Sequence, residues 1–341
     1  MFEKPFNNDK YKQLQKDEIY DRISKYDKLY IEVGGKIFDD HHAARVLPGF
    51  DPNVKIQIFQ ELKNDLEIIF CINARDIISK KIRNDNGLLY SDEVIRLIYT
   101  MRKLGISVCG VMITLYEDHK LVQNFINKCK NINVQVSRSY FINNYPADVN
   151  TIVSQDGFGR NDHIKTNKKI ILVSAPGANS GKFDTCLTQI YNDKLNGIIS
   201  GYAKYETFPV WNLPLEHLVN KAYEMATADV LDVNMLDPFY EKAYGKQATN
   251  YNRDVEAFPI LSKILNMIYG EEIYKSPTDM GINKVGFAIE DDKAVQEASL
   301  KEIEKRYEKV KIDYVNHKLS DESFARSVEL LEESKELFNK L

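Results

Sequence analysis

The sequence predicts an α/β protein: a doubly wound, mostly parallel sheet carrying a P-loop-like strand–loop–helix unit, followed by a mostly helical second part. Three observations predict it. Short apolar runs rich in β-branched residues alternate with amphipathic stretches. Runs such as Ile68-Ile69-Phe70-Cys71-Ile72 are apolar at consecutive positions, as strands buried on both faces require. Beyond Lys182 the texture changes to charged segments with apolar residues at helical spacing.

In order, strands are expected at Lys28–Val33, Leu66–Ile72, Ser107–Ile113, Val134–Val136 and Ile170–Ser174, with helices at Asp9–Lys25, Asn53–Lys63, Ser91–Leu104 and Lys120–Lys130. Ser91 reads as an N-cap, with Val94, Leu97, Ile98 and Met101 following on one helical face. Alternation of this length reads as βαβ crossovers and hence a parallel sheet. The stretch Tyr202–Pro214 reads as an ordered loop crossing the sheet, in which Tyr202–Thr207 can be a further strand. Glu216–Asp232, Asp254–Tyr269, Asp291–Tyr314 and Asp321–Leu341 read as helices. A chain of 341 residues exceeds the ~250–300 at which single cores stop growing. We therefore expect two parts: an α/β phosphate-binding domain over 1–215 and a mostly helical one over 216–341.

Composition narrows the classes. With 43% hydrophobic and 28% charged residues the chain is ordinarily globular. A formal charge of -4, with acidic and basic residues mixed, gives no basic stripe for nucleic acid. Cys71, Cys109, Cys129 and Cys186 lack zinc-ligand or redox spacing and read as reduced thiols. The polar start Met1-Phe2-Glu3-Lys4-Pro5 has no apolar leader core, and no run approaches ~18 apolar residues. The expectation is a cytoplasmic protein without a membrane partner. The C-terminal helices are expected either to pair in a homo-oligomer or to cover a second core.

The richest motif follows the strand Ile170–Ser174. Ala175-Pro176-Gly177-Ala178-Asn179-Ser180-Gly181-Lys182 leads into a helix over Phe183–Asp193. Glycines let consecutive N–H groups approach a phosphate, the helix N-terminus adds positive potential, and Lys182 can reach outer phosphates. Gly177, Asn179, Ser180, Gly181 and Lys182 are thus the phosphate-binding candidates. Against the nucleotide signature G-x-x-x-x-G-K-[ST], Pro176 holds the first glycine position and Phe183 the hydroxyl position. Thr185 is the substitute hydroxyl for magnesium. The plain alternative is a Gly-rich turn with a solvated lysine.

The segments Arg45-Val46-Leu47-Pro48-Gly49-Phe50, Glu206-Thr207-Phe208-Pro209-Val210-Trp211-Asn212, Asn250-Tyr251-Asn252-Arg253-Asp254 and Lys275-Ser276-Pro277-Thr278-Asp279-Met280-Gly281 resemble a bacterial family, domain of unknown function 1846. The resemblance extends over essentially the whole chain. It implies membership, and a longer form with a further C-terminal domain, of which this chain would be a truncated version. It implies no particular chemistry. The loop departs from the Pro-Gly-rich form that the resemblance leads one to expect.

Other constellations carry chemistry by residue type. Lys204 and Glu206 would share a strand face beside the phosphate loop, where they could stabilise transferred charge; the alternative is an exposed ion pair. Asp229 and Asp232, with Asn234 and Asp237 nearby, offer oxygen ligands for magnesium, although capping by Asp232 or Asn234 explains half of the cluster. Asn252 and Arg253 suit a polar small molecule, as do Thr278 and Asp279, though Ser276–Gly281 also reads as a plain Pro-initiated turn. Gly34-Gly35 could form a second anion-binding turn, with His42 and Arg45 as general acid or phosphate clamp; the plain alternative, which the residues alone favour, is a Gly-Gly turn with two surface histidines. The leading expectation is an ATP- and magnesium-dependent ligase or kinase acting on a small polar metabolite. Lys182, Lys204, Glu206 and Arg253 would carry catalysis. The alternatives are a transferase or hydrolase of a phosphorylated metabolite without nucleotide, and a non-catalytic phosphometabolite-binding or assembly protein.

Overall fold

The computed structural model describes residues 4–340. Met1–Glu3 of the polar N-terminus and Leu341 of the last expected helix lie outside the described residues. Among the described residues there are nine strands: β1 (Lys28–Val33), β2 (Leu66–Asn73), β3 (Ser107–Thr114), β4 (Val136–Arg138), β5 (Ile170–Ser174), β6 (Ser200–Tyr205), β7 (Asn234–Leu236), β8 (Thr249–Tyr251) and β9 (Gly281–Ile282). Seven of them form one parallel sheet in the order β4–β3–β2–β5–β1–β6–β9, and β7 and β8 form an antiparallel ribbon.

The alternation of side chains along each strand divides the core in two. On one face Leu29, Ile31, Ile68, Phe70 and Val111 pack with Tyr11, Phe59, Ile98 and Phe125 of the helices Asn8–Ile23, Val54–Glu61, Tyr90–Lys103 and Lys120–Asn131. On the other face Tyr30, Ile69, Cys71, Met112 and Val173 pack with Leu187 and Ile190 of the helix Lys182–Leu195 and Leu265 of Asn252–Tyr269. Strands buried on both faces need apolar residues at every position, which explains the unbroken runs. From β1 the chain crosses β5 to reach β2, and from β5 it crosses β1 to reach β6. Connections therefore leave the β5–β1 pair in opposite directions, and such a switch point opens a crevice at the strands' carboxyl ends.

Local differences from expectation have physical reasons. Ser91 does not cap its helix. The Tyr90 N–H donates to Lys81 O at 2.9 Å, so the helix begins one residue earlier behind an extended Leu89. Val134 closes the preceding helix by donating to Cys129 O at 3.0 Å, and pairing on β3 starts only at Val136. The cap in the acidic segment is Asp237, which accepts from the Phe239 and Tyr240 N–H groups, rather than Asp232 or Asn234. The second part is mostly helical, yet its β9 pairs with β6 and extends the sheet. The helix Asp292–Val315 packs on His41–Val46, Leu218–Ala226 and Asp321–Phe338.

Candidate functional site

At the end of β5 the chain turns through Ala175–Gly181 into a 14-residue helix starting at Lys182. Asn179 and Gly181 both hold left-handed backbone, at φ 58° and 81°. A Cβ at Gly181 would lie 2.6 Å from the Thr114 side chain, so this position needs glycine twice over. Thr114 Oγ1 donates to Ser180 O at 2.9 Å, Ser180 Oγ to Gly177 O at 3.0 Å, and Arg83 Nη1 to Pro176 O at 2.7 Å. The loop's carbonyls are thus tied down, while no side chain caps the helix. Its first N–H groups are left without a side-chain cap, and Asp184 is the acidic residue of its first turn.

Beside this N-terminus lies a cavity of about 1090 Å³, walled by the residues that follow β1, β5 and β6. Glu32 of β1 sits in register with Lys204 of β6 and with Val173 of β5. Lys182 Nζ is 3.6 Å from Glu32, whose other carboxylate oxygen accepts from the Tyr202 hydroxyl at 2.9 Å. Lys204 Nζ lies 2.6 Å from Glu206 and 2.5 Å from Asp254, and also contacts the Tyr251 hydroxyl. Tyr251 in turn donates to Glu206 at 3.2 Å. Burial alone would lower the Lys204 pKa, but Asp254 and Glu206 hold it well above the ordinary lysine value. Glu206 is pushed up to about 7, first by burial and further by the charge of Asp254, with Lys204 opposing. One lysine faces two carboxylates and cannot fully offset both, which leaves the more buried Glu206 with its raised pKa.

The cavity brings together Asn179, Lys182, Lys204, Glu206, Arg253, His42 and Arg45 of the residues singled out in the sequence. Arg253 is held by Asp232 at 2.6 Å and lies over the Tyr251 ring. His42 is pushed below the ordinary histidine value by burial, and Arg45 pairs with Glu302 at 2.8 Å. Other candidates have different places. Gly177 backs onto Tyr90, and Ser180 is buried within the loop. The Thr185 hydroxyl is buried, donating to Gly181 O at 2.8 Å and accepting from Cys71. Asn252 ties down Leu231 and Val233. Thr278 donates to Asp237, and Asp279 closes a capping box with Ser276. Asp229 is exposed on the turn Ala228–Val230. Among the described residues no group of three or more metal-ligating side chains comes together.

Sequence reasoning missed Glu32, Tyr202, Tyr251 and Asp254 as parts of one cluster. Glu32 did leave a signal: it is a carboxylate inside an apolar strand run, Leu29-Tyr30-Ile31-Glu32-Val33. The neighbouring Asp184, in the first turn of the helix, is pushed up to about 6 by burial, against a hydrogen bond from Ser139. No helix among the described residues is long and apolar enough to cross a membrane.

The family model described as "Domain of unknown function DUF1846, N-terminal" matches residues 4–335. A UPF0371 protein of Streptococcus thermophilus is 49% identical over 332 residues, covering 97% of this chain and 67% of that relative. A UPF0371 protein of Streptococcus pneumoniae matches at 49% with the same coverage. One from Streptococcus equi subsp. zooepidemicus is 50% identical over 327 residues, 96% of this chain and 65% of the relative. These bacterial relatives are longer than this chain, which corresponds to about two thirds of their length. With a family model spanning nearly every residue, the chain belongs to the DUF1846 family.

Proposed function

We propose that this chain binds a phosphorylated small metabolite and carries out acid–base chemistry on it. The observation that carries the reading is that Lys182, at the uncapped helix N-terminus, and the Lys204–Glu206 pair line one cavity. The phosphate would meet the loop N–H groups and Lys182. Glu206, with its pKa near 7, can take or give a proton at neutral pH. Lys204 stays cationic and offsets developing negative charge. A thermal-shift series tests this with inorganic phosphate, sugar phosphates and nucleotides, on wild type and Lys182→Ala. We expect a phosphorylated compound to raise the Tm of wild type and not of the variant. If no such compound does, or if both proteins respond alike, the reading fails. Glu206→Gln then separates catalysis from mere binding: a catalyst loses turnover and keeps the shift.

A second reading, an ATP- and magnesium-dependent ligase or kinase, is favoured by Glu32. It lies one strand from the loop strand and 3.6 Å from Lys182, where a carboxylate can hold magnesium through water. Thr185, committed to Gly181 O, is unsuited to that task. Magnesium would rest on phosphate oxygens and Glu32, where it would neutralise charge on the transferred phosphoryl group. ATP should then shift Tm further with magnesium, and Glu32→Gln should remove that increment. An ATP response indifferent to magnesium would count against this reading.

A further inference from the structure

The same cavity has a second wall, formed by the helix His41–Val46 and the segment after β6, that the reaction proposed above does not use. Two polar atoms there are buried without a hydrogen-bond partner: Thr207 Oγ1 and His42 Nε2. Thr207 is only 5% exposed. Buried polar atoms in native proteins nearly always have partners, so these two are what a bound group would complete. Their chemistry is defined by their neighbours. Arg306 Nη2 lies 3.2 Å from His42 Nδ1 and a guanidinium only donates, whereas the Glu302 carboxylate that could take a proton from Nδ1 stands off at 3.7 Å, beyond hydrogen-bond reach. Nδ1 therefore accepts, and the ring proton sits on the unpartnered Nε2. Arg45 and Arg306 share one buried carboxylate, Glu302, at 2.8 and 2.7 Å, which leaves one positive charge and spare N–H donors.

A hydroxyl, an imidazole N–H and guanidinium donors with a single excess positive charge fit a group that only accepts and carries one negative charge. We propose that this wall is a carboxylate subsite, so that the metabolite bound at the phosphate loop carries a carboxylate at its other end. The inference rests on the phosphate reading only for the nature of that first end. A cavity of about 1090 Å³ has room for both ends at once. Pairing with Glu302 pre-orients the two guanidinium groups, so little side-chain freedom is lost when a carboxylate arrives.

Isothermal titration of the intact chain tests this. The probes are phosphonoacetate, 3-phosphonopropionate and 4-phosphonobutyrate, each compared with the hydroxyalkylphosphonate of equal length, together with inorganic phosphate and glutarate. We expect at least one phosphonocarboxylate to bind about 10-fold or more tightly than its hydroxyl counterpart. Arg45→Gln and Thr207→Val should each reduce that ratio at least threefold, while Thr207→Ser, which keeps the hydroxyl, preserves it. Lys182→Ala should weaken both members of the pair and leave the ratio intact. Variants are compared only where their Tm matches wild type, and Thr207→Val, read against Thr207→Ser, covers the case in which Arg45→Gln fails to fold. A ratio of one at all three lengths, or a ratio untouched by both wall variants, overturns the subsite. Lys182-dependent phosphate binding with a ratio of one would overturn the subsite and leave the phosphate reading standing. Glutarate binding that is lost in Arg45→Gln, with no phosphonate binding, would support the subsite and sink the phosphate reading.

Discussion

Replacing Lys204 by methionine keeps a stem of similar bulk and removes the ammonium that sits within 2.6 Å of both Glu206 and Asp254. The side chain is 15% exposed, so the two carboxylates lose their main counter-charge in a poorly hydrated setting. Removing one partner of a buried pair is destabilising by about 3–5 kcal/mol, and we expect about 3 here because Asp254 keeps some contact with water. The pH dependence follows from the direction of the shifts. Glu206 already titrates above its ordinary value, and losing the lysine raises it further. A carboxyl with a raised folded-state pKa binds extra protons in the fold, so its contribution is whole below the unfolded-state value of ~4.3 and is lost as pH rises through the folded value. The deficit of Lys204→Met should therefore be small at pH 5, about 1 kcal/mol, and reach its full size at pH 8. Urea unfolding followed by far-UV circular dichroism at the two pH values measures it. Adding Glu206→Gln should recover about half of the loss at pH 8, since one buried charge disappears. Equal deficits at both pH values, or none at pH 8, would refute the view that Lys204 neutralises a buried acidic pair.

Gly181→Ala forces an L-residue into φ 81° and drives its methyl to 2.6 Å from Thr114. We expect about 2–4 kcal/mol of destabilisation by urea unfolding, together with loss of any phosphate response. Asp184→Asn removes a carboxyl pushed up to about 6 by burial. Its penalty is absent below ~3.9 and present above the folded value, so the variant should match wild type at pH 4 and exceed it by about 1–2 kcal/mol at pH 8. Glu302 shows the opposite sign. Burial would raise it, but Arg45, Arg306 and His42 gathered around it hold it down to about 2. Its contribution is present above ~4.3 and lost as pH falls through about 2, so Glu302→Gln should be destabilising by about 2–3 kcal/mol at pH 7 and nearly neutral at pH 2.

Much of this fold was legible because burial on both sheet faces imposes a pattern on consecutive residues. Ile68–Ile72 and Ile170–Ser174 could hardly be anything but interior strands. The helix boundaries were less legible, because hydrogen bonds from remote residues set them. Nothing within Ser91–Val94 announces that Lys81 will take the Tyr90 N–H. β9 was invisible, since two residues have no periodicity and its pairing with β6 is purely tertiary. The candidate site was half legible. Lys182 and the loop announced themselves by residue type and spacing, as did Lys204 and Glu206. Asp254 and Tyr251 arrive from a helix start and a short ribbon some fifty residues later, and only the packing of that helix against the sheet brings them to Lys204. Thr278 and Asp279 have an equally functional look, and the fold engages them in a capping box and in a hydrogen bond to Asp237, partners that lie outside their own sequence pattern.

Charge balance along the cavity floor ties the two halves of the proposed site together. Lys182, Glu32, Lys204 and then Glu206 with Asp254 form a row in which each cation touches a carboxylate. Two lysines face three carboxylates, so the row is one negative charge in excess when all are ionised. On the proposed reading, a phosphate arriving at Lys182 would add negative charge at one end of that row and compete with Glu32 for Lys182. Glu32 would then act more strongly on Lys204, its neighbour in register, and Lys204 would have less to give Glu206. Each step favours a proton on Glu206, whose carboxyl burial already holds near neutrality. On the proposed reading, substrate binding itself loads the acid, and Glu32, the carboxylate placed in an apolar strand, is the residue through which the phosphate loop and the acid–base pair sense one another.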